Sequence, residues 1–152
     1  MAEISVHQLH QETRRKLKLT WVAGKSGGDN LLNSETVSKP SLALTGHRNF
    51  VHPNRVQVLG CAEMDYLNGL NEQDQKQAIQ HLFTQKLAAL IVANGEKVPS
   101  ELITAADKNQ TALMTSPLAS PNLMDLLSHH LAQALAESTS AHGVFIEVQG
   151  FG

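Results

Sequence analysis

Apolar positions at the start of the chain recur with helical spacing. Val6, Leu9, Thr13 and Leu17 form a narrow inner stripe, which predicts a first helix. Ser5 precedes it as an N-cap, with Gln8 three residues on able to reach back to the Ser5 amide. Arg14, Arg15 and Lys16 fall near the helix end, where cations suit its negative pole. From Lys18 to Ala23 the period shortens to two, and a strand is expected with Leu19, Trp21 and Ala23 on one face. Gly27-Gly28-Asp29-Asn30 then supplies turn chemistry, because glycine and Asx residues tolerate positive φ.

Beyond Val56 the rhythm alternates between strand and helix. Val56–Leu59 reads as a short strand ended by Gly60, and Ala62–Leu67 as a short helix. Asn71 can cap a longer helix to Phe83, with Ala78, Ile79, Leu82 and Phe83 inward. Ala88–Ala93 is apolar throughout, the pattern of a strand covered on both faces, and Asn94-Gly95 stops it. A helix from Pro99-Ser100 to about Lys108 and a strand at Ala112–Met114 follow. Ser120-Pro121 is the clearest helix start, with Leu123, Met124, Leu127, Leu131, Ala134 and Leu135 on one continuous face. Strands separated by helices favour parallel pairing, so residues 1–136 are expected to form one α/β layered domain, a mainly parallel sheet flanked by helices. Residues 137–141 (Glu-Ser-Thr-Ser-Ala) read as a polar connector. Residues 142–152 read as a fresh strand, expected to open a domain that continues beyond Gly152.

Composition narrows the class. The chain has 152 residues, 41% apolar and 17% charged, which argues against disorder and against a fibrous protein. With 14 acidic and 12 basic residues, the net charge of −2 lacks the basic footprint of a nucleic-acid binder. One cysteine excludes an internal disulfide framework and suits a reducing cytosol. No apolar run approaches the roughly 20 residues of a membrane span, and the polar N-terminus does not resemble a signal peptide. A cytoplasmic protein without nucleic-acid or membrane partners is expected.

Candidate chemistry is sparse. Gly24-Lys25-Ser26 mimics the end of a phosphate-binding loop, but Leu19 stands where the first glycine belongs, so a hairpin loop is expected. His7 and His10 can share a helix face, but there is no third ligand, and no metal site is expected. Cys61 is expected to be a buried, inert thiol. Arg14, Arg15, Lys16 and Lys18 read as a solvated helix end. The loop from Gly46 to Arg55 is richer: His47, Arg48, Asn49, His52 and Arg55 surround Phe50 and could hold a phosphate or carboxylate.

Several segments in order resemble the N-terminal domain of HPr kinase/phosphorylase. They are Lys39–Gly46, Asn49-Phe50, Pro53–Gly60 with Glu63, Tyr66 and Leu67, Ile91–Gly95, Ser116-Pro117-Leu118 with Ser120, and His142–Val148. The wording Trp21-Val-Ala-Gly and Gly46-His-Arg-Asn-Phe is most similar to proteobacterial members. The resemblance implies a fold like the UDP-sugar-binding domain of muramyl peptide ligases. It also implies a parent enzyme that phosphorylates a serine of HPr with ATP or pyrophosphate and Mg²⁺, and reverses this by phosphorolysis. The parent would be hexameric, with HPr and its own C-terminal kinase domain as partners. None of the family's catalytic positions falls in this chain, so no catalytic residue and no cofactor are carried over. The expectation is a non-catalytic regulatory or assembly domain. The alternative is a module binding anionic or phosphorylated metabolites through the His47–Arg55 loop.

Overall fold

A computed structural model describes residues 2–39, 54–84 and 86–147, with side chains of the last helix described through Ser138. Its centre is a four-stranded sheet in the order β2-β6-β5-β4. Strands β4 (Val56–Leu59), β5 (Ala89–Val92) and β6 (Ala112–Thr115) run parallel, while β2 (Thr20–Ala23) is antiparallel at one edge. At the other edge Ser38 makes a single parallel bridge to Gln57. A two-stranded antiparallel ladder joins β1 (Ile4–Ser5) to β3 (Leu31–Leu32). The helices are α1 (Val6–Thr13), α2 (Cys61–Gly69), α3 (Glu72–Leu82), α4 (Ser100–Lys108) and α5 (Ser120–Glu147).

The two-residue period of the strands sorts side chains into two cores. Val56, Val58, Ala89, Ile91 and Met114 pack with Val6 and Leu9 of α1 and with Leu123, Leu127 and Leu131 of α5. Leu59, Leu90, Val92 and Leu113 point the other way, onto Met64 and Leu67 of α2, Ile79 and Leu82 of α3, and Leu102 of α4. Each fully buried leucine of this kind contributes about 1.5–3 kcal/mol. The expected mainly parallel sheet flanked by helices is therefore present, with its apolar central strand covered on both faces.

Local signals behave largely as their chemistry dictates. Ser5 caps α1 by accepting the Gln8 N–H at 3.0 Å, although the Gln8 side chain turns away to Glu12 (3.2 Å). Asn71 caps α3 by accepting the Asp74 N–H at 2.8 Å. Buried Thr13 donates to the Leu9 carbonyl at 2.7 Å, which satisfies its hydroxyl inside the apolar stripe. Helix α1 ends at Thr13, and the chain turns through the exposed Arg14, Arg15, Lys16 and Lys18 with Leu17 buried between them.

Three expectations change. Leu19 and Trp21 face the first core, but Ala23 lies in the second. The register with β6 shifts between Trp21 and Ala23, and one extra residue in a strand moves everything after it to the opposite face. Residues 24–30 do not close a hairpin between neighbouring strands: Lys25–Asp29 is a 3₁₀ turn leading from β2 to β3, which pairs with β1 instead. The glycines in it serve close approach rather than positive φ, since a Cβ on Gly27 would press on the Gln110 carbonyl and the Ala112 amide. The residues expected as a connector (137–141) and the first part of the expected strand (142–147) are helical, continuing α5. A helix satisfies its backbone donors internally, whereas a strand needs a partner for them.

His130 on α5 lies 2.9 Å from Glu12 on α1, tying the two helices that cover the first core. His10, beside Trp21 at 5.0 Å between ring centroids, has its pKa lowered below the usual imidazole value, first by burial and then by the Arg14 and His7 charges. A depressed imidazole binds its proton more weakly in the folded than in the unfolded chain, so it costs stability as pH falls through the unfolded value near 6.5. Urea unfolding at decreasing pH from neutrality will show a smaller loss for His10→Gln than for the wild type.

Gly24 has φ +65° and its missing side chain would collide with the Thr111 carbonyl. Gly24→Ala will lower stability by about 2 kcal/mol or more, measured by chemical denaturation.

Candidate functional site

In parallel α/β sheets ligands approach the carboxyl ends of the strands, and here that edge is stitched from three chain segments. The Ala93 N–H donates to the Leu59 carbonyl and the Ser116 N–H to the Val92 carbonyl, both at 2.9 Å. Beyond the strands, Asn94 and Gly95, both left-handed at φ 63°, turn the chain so that their amides reach Leu118 O (2.7 Å) and Ser116 O (3.0 Å). Asparagine and glycine are the residues that adopt this conformation at least cost. Buried Ser116 locks the third segment, donating to the Leu17 carbonyl at 2.7 Å and accepting the Leu118 N–H at 3.2 Å.

The polar groups of this edge concentrate where β4 meets α2. Gly60 ends the strand, and Glu63, one turn into α2, accepts the Gly60 N–H through Oε1 at 2.7 Å. This is one half of a capping box, the half a glycine N-cap still permits. Glu63 is 5% exposed, and an acidic group in the first turn of a helix meets its positive pole. A Cβ placed on Gly60 would lie 3.0 Å from Ser120 Oγ, 3.1 Å from Lys39 Nζ and 3.2 Å from Glu63 Oε1. A hydroxyl, an ammonium and a carboxylate thus converge on one side of Gly60, brought together from the start of α5, the segment before β4, and α2. Cys61, the next residue, is exposed rather than buried as expected. As the first residue of α2 it lies before the first buried turn, whose inward positions are Glu63, Met64 and Leu67.

Of the residues expected to form a binding loop, Arg55 is half-buried immediately before β4, at the strand end opposite Gly60. His47, Arg48, Asn49 and His52 lie outside the described residues. Neighbouring Asn54 is structural: its side chain donates to the Leu31 carbonyl at 3.0 Å and its carbonyl accepts the Asn33 N–H at 3.2 Å. Lys39, Glu63 and Ser120 were not among the expected site residues. Glu63 had a local signal, its spacing from Gly60, but Ser120 is far off in sequence and only the fold brings it near.

The phosphate-loop mimic at Gly24 does not fit a nucleotide. The Gly24 amide donates to Asp107 Oδ1 at 2.6 Å, so a carboxylate already takes the place of an anion. A five-residue 3₁₀ turn follows rather than a long helix whose N-terminus could face phosphates. Among the described residues no group of three or more His, Cys, Asp or Glu side chains could hold a metal ion, and Glu12 is engaged with His130 and Gln8. No helix among the described residues is long and apolar enough to cross a membrane.

The family model described as "HPr Serine kinase N terminus" matches residues 4–131. The HPr kinase/phosphorylase of Chromobacterium violaceum is 50% identical over 148 residues, covering 97% of this chain and 46% of that protein. That of Neisseria meningitidis serogroup C is 45% identical over 148 residues, with coverage of 97% and 46%. That of Burkholderia ambifaria is 33% identical over 153 residues, with coverage of 99% and 48%. The chain spans about half the length of the curated relatives it matches. Of the segments that carried the resemblance, those around Gly60, Glu63, Asn94-Gly95 and Ser116–Ser120 meet at the carboxyl edge of the sheet. By this match, which runs from β1 into α5, the chain belongs to the HPr serine kinase N-terminus family.

Proposed function

We propose that this chain serves as the non-catalytic N-terminal domain of an HPr kinase/phosphorylase, with a regulatory or assembly role toward a C-terminal kinase domain. The observation that carries this reading is the family match over residues 4–131 in a chain about half as long as its relatives. The enzyme would phosphorylate a serine of HPr with ATP or pyrophosphate and Mg²⁺ and remove the phosphate by phosphorolysis, in the cytoplasm and as a homo-oligomer. Phosphoryl transfer needs a cradle of backbone amides, a cation for the β- and γ-phosphates and a positioned base. The one segment of this sequence that imitates such a cradle, Gly24–Ser26, has Leu19 in place of the leading glycine and its Gly24 amide committed to Asp107. What the chain does offer is a double-covered sheet on which a second domain can be held in a fixed orientation.

The 152-residue chain on its own will show no ATP hydrolysis and no phosphorylation of HPr, measured by radiolabelled phosphate transfer. Turnover that survives purification to homogeneity would overturn the reading.

A further inference from the structure

The chain contains two Asn-Gly pairs, Asn68-Gly69 and Asn94-Gly95, and the fold treats them in opposite ways. Asparagine is chemically labile, most of all before glycine, whose nitrogen has no neighbouring Cβ to hinder its approach to the carboxamide carbon. The reaction still requires that nitrogen to be free to move. At Asn94-Gly95 it is held. The Gly95 N–H donates to the Ser116 carbonyl at 3.0 Å and the Asn94 N–H to the Leu118 carbonyl at 2.7 Å. Ala93, just before them, is buried and donates to the Leu59 carbonyl at 2.9 Å. Freeing Gly95 therefore means parting chain segments at the carboxyl edge of the sheet. Asn68-Gly69 stands at the other extreme: both residues are exposed, and Gly69 is the last residue of α2. No atom lies within 4 Å of where a Gly69 Cβ would stand. Just beyond it the helical ladder slackens, because the Leu70 N–H reaches the Leu67 carbonyl, three residues back, at 3.3 Å. A terminal turn of this kind opens at little cost.

We propose that Asn68 is a site of spontaneous covalent modification, and that the fold confines to it a reaction the sequence offers twice. In the first step the Gly69 nitrogen bonds to Asn68 Cγ and the Cγ–Nδ2 bond breaks. The glycine N–H proton leaves with the amide as ammonia, and a cyclic imide remains. Water then opens the imide at either carbonyl. One opening gives aspartate; the other routes the main chain through the side-chain carbon and gives isoaspartate. Nothing is oxidised or reduced. Both products place a new carboxylate at the negative pole of α2, where an anion is unfavourable. Isoaspartate also lengthens the main chain just before Leu70, which packs on the second core, and Asn71, which caps α3. One residue earlier, the Leu67 carbonyl accepts the Gln75 side chain at 3.0 Å, a tie between α2 and α3. The modification thus loosens the α2–α3 corner as the protein ages. This inference does not depend on the role proposed above for the whole domain.

Incubation of the full chain in mildly alkaline buffer, followed by proteolysis and mass spectrometry, tests this, with isoaspartate read by enzymatic methylation of its free carboxylate. The peptide carrying Asn68 is expected to gain both acidic products while the one carrying Asn94 keeps its amide. The rates will differ roughly tenfold or more, as expected when backbone hydrogen bonds must break before Gly95 can react. In urea strong enough to unfold the chain, the two pairs will convert at similar rates. Gly69→Ala sets a methyl group in open space but hinders the attacking nitrogen, and it will slow conversion at Asn68 severalfold. Equal rates at the two pairs in the folded chain overturn the proposal. So does a folded chain that keeps the Asn68 amide while the unfolded chain loses it, a rate difference that persists in urea, or a Gly69→Ala variant that converts as fast as the wild type.

Discussion

Strand β5 is the constraint on which the remaining structure depends. It is hydrogen-bonded on both sides, to β4 and to β6, and all four of its residues are fully buried. A strand so placed cannot present a polar face, so its side chains must alternate between two apolar layers. Ala89 and Ile91 enter one core and Leu90 and Val92 the other. Everything that covers the sheet follows from this: α1 and α5 must close one side, and α2, α3 and α4 the other. The antiparallel β2 is the exception that fits at the rim, where one edge needs no further partner and a bulge can redirect Ala23 from one layer to the other.

The same arrangement positions the polar edge. Parallel strands of similar length end together, and here their ends are followed by Gly60, by Asn94-Gly95 and by Ser116, each at the point where the chain must turn. The left-handed turns and the Ser116 hydrogen bonds fix these ends against one another and against Leu17. Two helices begin beside them, and their exposed donor ends leave a region of positive potential. Buried Glu63 answers that potential at α2. At α5 the buried residue is Ser120, and a hydroxyl answers it only through hydrogen bonding.

Much of this was legible in the order of residues. The inner stripe Val6-Leu9-Thr13-Leu17, the uniformly apolar Ala88–Ala93 and the caps Ser5 and Asn71 are local patterns whose physics needs no distant partner. What failed were features settled by pairing. The bulge in β2 depends on its register with β6, and the partner of β3 proved to be β1 rather than its neighbour in sequence. The continuation of α5 through 137–147, where a connector and a strand were expected, shows helix winning where strand pairing would have to come from elsewhere. Cys61 proved exposed because the turn of a helix that faces the core is fixed by its packing, not by its composition.

By itself, the sequence determined the alternation of elements, the double-sided burial of the central strand and membership of a family, because periodicity and ordered motifs are properties of neighbouring residues. The tertiary structure alone decided that Lys39, Glu63 and Ser120 meet at one glycine. Their convergence requires the ends of β4 and the starts of α2 and α5 to lie side by side, and that adjacency arises only when the sheet closes its two cores.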